Sequence, residues 1–204
     1  MNDQINIIAK WLGTGSVDIF GCPFSGKDTQ GRILADLFNG ELIAGGDILR
    51  SHKDPQKIEQ VLDSGGIIPS DYYLELVLPF LSQSKYRQKP LFLSAVGRAH
   101  GEESIIMKTA SNSGHPIKAV ILLDLTEAEV WRRFENDKRQ DDRGDRADDR
   151  REVLQTRLKK FQDRTIPVID FYRQKGLLVE VNGALDRETV TSEILRGLVK
   201  QALN

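Results

Sequence analysis

The sequence predicts an α/β protein, a parallel β-sheet covered by helices, and three observations carry that expectation. Short, nearly continuous apolar runs recur at 17–20, 90–96, 117–123 and 177–181, as expected of strands buried on both faces. Segments of helical period separate all of them. A glycine-rich stretch, GCPFSGKDTQ, joins the first run to the helical pattern that follows it. Strands alternating with helices imply right-handed crossovers and a ligand crevice at the carboxyl ends of the strands.

Composition sets the scale. With 204 residues, 39% apolar and 29% charged, the chain can bury one substantial core, so a single domain with small inserts is expected. Lysines and arginines (29) nearly balance aspartates and glutamates (30). No global field therefore advertises a nucleic-acid or membrane partner, and any basic site is local. Cys22 is the sole cysteine, which excludes an internal disulfide and a cysteine-ligated zinc site and suits a reducing cytoplasm.

Taken in order, Ile5, Ile8, Trp11 and Leu12 recur at helical spacing and predict one amphipathic helix within residues 1–15, packed on the protein's own core. The opening run carries an acid and is too short for an export signal or a membrane span. The domain proper spans 16–204. Its first strand, at 17–20, feeds the glycine-rich loop, and Ile33, Leu34, Leu37 and Phe38 mark the helix after it. Between Trp131 and Arg164 the chain becomes densely charged around a lone glycine, Gly144. That run is surface: either a solvated helical hairpin laced with ion pairs or a segment that handles phosphate.

Gly21, four residues, then Gly26 and Lys27 give the GxxxxGK part of a Walker A loop, in the required place between strand and helix. Glycines let successive backbone N–H groups face phosphate oxygens, and the helix N-terminus adds its positive end. The fold class is therefore that of the P-loop NTPases. Gly21, Pro23, Ser25, Gly26, Lys27, Asp28 and Thr29 are the predicted ATP-binding residues, with Lys27 as a mobile charge on the outer phosphates. Asp28 stands where a magnesium-binding Ser or Thr normally follows the lysine. A carboxylate beside polyphosphate is repelled without an intervening cation, so Asp28 either helps hold Mg²⁺ or starts the helix.

GCPFSGKDTQ also resembles the GxPGxGKGTQ loop of adenylate kinases and related nucleoside monophosphate kinases. GGDILR (45–50) is similar to that family's TGDxLR, GGIIPSDYY (65–73) to its GxLVPDE, RADDRREVLQTRL (146–158) to its RxDD…RL and TIPVIDFY (165–172) to its TxPLIxYY. The resemblance spans about residues 17–200. It implies an acceptor-binding insert at about 44–75, a short lid at about 136–148, and transfer of the ATP γ-phosphoryl group to a nucleoside monophosphate, AMP favoured, with Mg²⁺ and as a monomer. By the same resemblance Arg50 and Arg98 grip the acceptor phosphate, and Gly45, Asp47, Ile68, Gly97 and Glu102 complete the acceptor site. Lys27, Arg98, Arg139, Arg146 and Arg157 form the catalytic set, with Asp148 and Asp149 orienting the arginines.

Two departures stand out. The family's DGFPRT is SAVGRAH at 94–100, so Arg98 survives while Ser94 replaces an acid that helps hold magnesium. Glu102 falls where a glutamine usually reads the acceptor adenine; a carboxylate only accepts hydrogen bonds, which suits an amine or the N1–H of guanine. A kinase of another small acceptor, or a nucleotide sensor without turnover, are the competing readings.

Overall fold

A computed structural model describes residues 2–50, 68–140 and 150–204, apart from the side chains of residue 50 and of residues 137–140. Its centre is a five-stranded sheet, all parallel, in the order β2-β3-β1-β4-β5. The strands are β1 (Ser16–Gly21), β2 (Glu41–Ala44), β3 (Leu91–Ser94), β4 (Ile117–Asp124) and β5 (Leu178–Asn182). Helices α1 (Asn2–Leu12), α2 (Lys27–Leu37), α3 (Gly45–Arg50), α4 (Ser70–Leu81), α5 (Glu102–Asn112), α6 (Glu127–Gln140), α7 (Arg151–Lys160), α8 (Ile166–Gln174) and α9 (Arg187–Leu203) surround it. A wide π-type turn, Phe161–Thr165, joins α7 to α8. This is the α/β fold of P-loop NTPases, as the alternation of apolar runs and helical patterns predicts.

Side chains alternate across the sheet, so each face receives its own layer. On one face Phe20, Leu91, Leu93, Val120 and Leu122 pack with Val77 and Leu81 of α4, Ile106 of α5 and Tyr172 of α8. On the other, Val17, Ile19, Phe92 and Ile121 meet Ile8 and Leu12 of α1, Leu34 of α2, and Ile194 and Leu198 of α9. The helical spacing read in the first twelve residues thus ends in core packing, with Ile5 and Trp11 partly buried at its margin.

Two strands differ from expectation. β2 was not foreseen: ELIA is four residues long, only one of them fully buried, and too short to show a period. β3 stops at Ser94 rather than running on to Val96, because Ala95 turns the backbone to φ 50. An L-residue enters that left-handed region only under the constraint of its surroundings, at a cost of about 1–3 kcal/mol. Here it ends the strand one residue beyond the point where Ser94 pairs with Ile19 of β1 and turns the chain toward Arg98.

Candidate active site

The phosphate loop folds tightly after β1. The Ser25 N–H donates to the Cys22 carbonyl at 3.2 Å, and the Gln30 N–H to that of Gly26 at 2.9 Å. Gly21 is held to glycine by close approach: a Cβ there would lie 2.4 Å from Ser25 Oγ. Ser25 Oγ itself is buried with no hydrogen-bond partner among the described residues. Phe24 occupies the left-handed region at φ 64, a conformation its buried ring pins by an edge-on contact with Phe134 of α6 at 5.7 Å. Cys22, Val130 and Leu154 complete that small cluster, and burial pushes the Cys22 thiol up to about 11, so it is inert packing at neutral pH.

Arg133 of α6 clamps the loop from behind. Its Nη1 donates to the Phe24 carbonyl at 3.0 Å, its Nη2 to that of Gly183 at 2.6 Å, and its Nε to Glu129 at 2.9 Å. Gln30, the last residue of the loop motif, faces elsewhere. Its Nε2 donates to the Arg187 carbonyl at 3.0 Å and its Oε1 accepts from Thr191 at 2.9 Å, tying α2 to α9.

Lys27 stands at the start of α2, half-buried. Lost solvation pulls its ammonium down to about 8; Asp28 opposes that pull, and the positive charges of Arg157 and Arg98 add to it. Arg157 of α7 and Arg98 of the loop after β3 are therefore each near enough to Lys27 to act on it. Asp28 lies across from the end of β3, where the Ser94 hydroxyl donates to its Oδ1.

Of the residues expected from sequence on the acceptor side, Gly45, Gly97, Arg98 and Glu102 lie near Tyr73 of α4. Its hydroxyl accepts from the Gly97 N–H at 3.1 Å and stands 2.8 Å from where a Cβ on Gly45 would be. The phenol is driven upward by burial, with the charges of Arg98 and Glu102 also acting on it. Ile68 is buried. Glu102 spends both carboxylate oxygens within the protein: Oε1 accepts from Ser70 Oγ at 2.7 Å and Oε2 from the Ala99 N–H at 3.0 Å, which fixes the start of α4 to the start of α5. Thr165 Oγ1 donates to the Arg98 carbonyl at 3.2 Å, a use for the threonine of the TIPVIDFY segment.

Beneath the site lies Asp18, wholly buried on the same sheet face as Phe20. Burial raises its carboxyl to about 8, against the Val96 N–H that donates to Oδ1 at 3.4 Å. Among the described residues, its Oδ2 and the Tyr172 hydroxyl both lack a hydrogen-bond partner.

The structure thus brings the phosphate loop near Ser94, Arg98 and Arg157, and, of the residues expected on the acceptor side, sets Gly45, Gly97 and Glu102 near Tyr73, with Ile68 in the core layer that includes Tyr73. Asp47 and Arg50 lie on α3 and Arg139 on α6. Arg146, Asp148 and Asp149 fall outside the described residues, as does most of the proposed lid. Tyr73, Asp18 and Arg133 were not singled out from sequence. A carboxylate inside the apolar run 17–20 was the visible signal for Asp18; Tyr73 and Arg133 offered none without their distant partners.

The family model for adenylate kinase matches residues 19–177. An adenylate kinase of Cyanothece sp. is 30% identical over 181 residues, covering 86% of this chain and 91% of the relative. Those of Fusobacterium nucleatum (25% identical; 87% and 95% covered) and Thermus thermophilus (26%; 92% and 99%) align over comparable lengths. The chain belongs to the adenylate kinase family and is an ATP-dependent phosphotransferase with nucleoside monophosphate kinase activity.

Proposed function

We propose that AMP is the acceptor, so that ATP and AMP give two ADP. The observation that supports this reading is that Arg98 and Arg157 both lie near enough to the phosphate-loop Lys27 to act on its charge; the names of the relatives favour the adenine nucleotide. An oxygen of the acceptor phosphate bonds to the γ-phosphorus as the bond to the β-phosphate oxygen breaks, and ADP departs. The acceptor is already an anion, so no general base is required. The barrier is lowered by alignment and by neutralising charge in a site from which water is excluded.

In this scheme Lys27 and the amides of Gly21 to Thr29 hold the donor, with Pro23 and Ser25 shaping the turn. Arg50 and Arg98 hold the acceptor phosphate. Arg139, Arg146 and Arg157 close on the transferring group, each fork able to span two oxygens. Gly45, Asp47, Ile68, Gly97 and Glu102 bound the acceptor, Glu102 acting on the base through the segments it fixes. Residues at about 44–75 and 136–148 serve as acceptor insert and lid. Mg²⁺ bound with ATP would neutralise its outer phosphates, and the donors at hand suit it: one carboxylate and hydroxyls, the remaining positions falling to phosphate and water.

No helix among the described residues is long and apolar enough to cross a membrane. We place the protein in the cytoplasm as a monomer. The reading is tested by phosphorus NMR of the purified protein with Mg-ATP and, separately, AMP, GMP, CMP, UMP and dTMP. Rapid diphosphate formation from AMP is expected; preference for GMP would reassign the acceptor, and binding of ATP with no transfer would leave a sensor.

A further inference from the structure

The phosphate loop carries a negative charge at an awkward place. Asp28 follows Lys27 directly and sits in the first turn of α2, where the polyphosphate has to lie. Repulsion between a carboxylate and phosphate at contact distance is severe in a half-buried site, and a cation between them reverses its sign. An acid chosen only to start the helix has no need of a partner on the sheet. Asp28 has one: Ser94, the last residue of β3, donates its hydroxyl to Oδ1. That bond crosses the crevice between α2 and the carboxyl end of β3 and fixes one carboxylate oxygen.

We propose that Asp28 is the carboxylate that holds the hydrated Mg²⁺ of the bound nucleotide, with Ser94 orienting it. The two departures face each other. The end of β3 carries a hydroxyl where the resemblance leads one to expect an acid, and the phosphate loop carries an acid where the resembling loop has glycine, its threonine being kept as Thr29. The Ser94–Asp28 bond joins the two changed positions across the crevice. The inference rests on ATP binding at this loop and deepens the function proposed above by naming how its metal is held.

The test measures metal rather than turnover. Mn²⁺ binding to the protein–ATP complex, without acceptor, is followed by electron paramagnetic resonance, alongside calorimetry of ATP binding with and without Mg²⁺. Variants are Asp28→Gly, Asp28→Asn, which keeps shape and removes charge should the glycine variant fold poorly, Ser94→Ala, and the exchange Asp28→Gly with Ser94→Asp. Loss of a group that positions a metal costs about 10–100-fold in affinity. Asp28→Gly and Asp28→Asn should lose about that much Mn²⁺ affinity while binding metal-free ATP more tightly than the parent. Ser94→Ala should lose less, and the exchange should recover most of the deficit. Unchanged Mn²⁺ affinity in the Asp28→Asn protein, or no recovery in the exchange while ATP still binds, overturns this assignment alone. Failure of the parent protein to bind ATP overturns both it and the function on which it rests.

Discussion

Tyr73 fills the space that a side chain on Gly45 would need, its hydroxyl 2.8 Å from the position of the missing Cβ. The two residues come from different helices and are 28 positions apart, yet neither can change alone. Gly45→Ala forces the phenol away from the Gly97 N–H that donates to it at 3.1 Å, leaving a buried donor unpaired at a cost of about 1–3 kcal/mol. Gly97 adjoins Arg98, so the KM for the monophosphate should rise about tenfold while that for ATP holds. Tyr73→Phe added to Gly45→Ala should recover part of the loss, since the 2.8 Å clash with the phenol oxygen is removed and the next neighbour, the Ala95 carbonyl, lies at 3.3 Å. Steady-state kinetics of the two single variants and the double variant measure the coupling.

Arg98→Ala should abolish transfer and leave ATP bound. A second effect follows from its charge, which together with Arg157 helps hold the Lys27 ammonium down at about 8. Without Arg98 that group titrates higher. ATP affinity of the parent protein should weaken as pH rises past about 8 and Lys27 loses its proton, and in the variant the decline should begin at higher pH. Calorimetric titrations from pH 6.5 to 9.5 decide the matter; normal turnover in the variant would contradict the assigned role.

Asp18 makes stability depend on pH with a definite sign. Its carboxyl is raised from 3.8 to about 8 in the folded protein, so between those values the native state keeps a proton that the unfolded chain has released. Stability is fully present below about pH 4 and is lost as pH rises toward 8. Asp18→Asn keeps the shape of the neutral acid without its titration. Its melting temperature should therefore pull ahead of the parent's across that window, by about 5 °C or more at pH 8, and the gap should stay constant above it. Thermal melts at pH 5, 7 and 9 test this; a gap independent of pH would refute it.

Phe24→Gly relaxes a left-handed backbone, φ 64, worth about 1–2 kcal/mol, but removes a buried ring whose loss costs about 3–5 kcal/mol. The net expectation is destabilisation by about 2 kcal/mol, measured by urea denaturation. A stabilised variant would mean that the contact with Phe134 contributes little.

The sheet and the phosphate loop were legible because their signals are local: an apolar run has a length, and Gly21, Gly26 and Lys27 have a spacing. β2 escaped because Glu41–Ala44 is half-buried and owes its strand to the β3 edge it joins rather than to its own pattern. Glu102 was set at the base by its position in the family resemblance; that both its oxygens accept from Ser70 and Ala99 depends on how two helices meet. Tyr73 was invisible for a related reason, since its significance is an empty volume at Gly45. Arg98 was found from its motif, while the bond from Thr165 that holds its carbonyl depends on a turn 67 residues away.

Arg133 has the widest mechanical consequence. One guanidinium rivets the phosphate loop, the turn after β5 and helix α6 together through the carbonyls of Phe24 and Gly183. The helix that leads toward Arg139 is thus a lever whose stationary end is bolted to the donor pocket. In the proposed closure, a swing of the distal arginines would pivot beyond Phe134 and leave the loop's shape untouched, so the pocket proposed to receive ATP would be the anvil against which the rest closes.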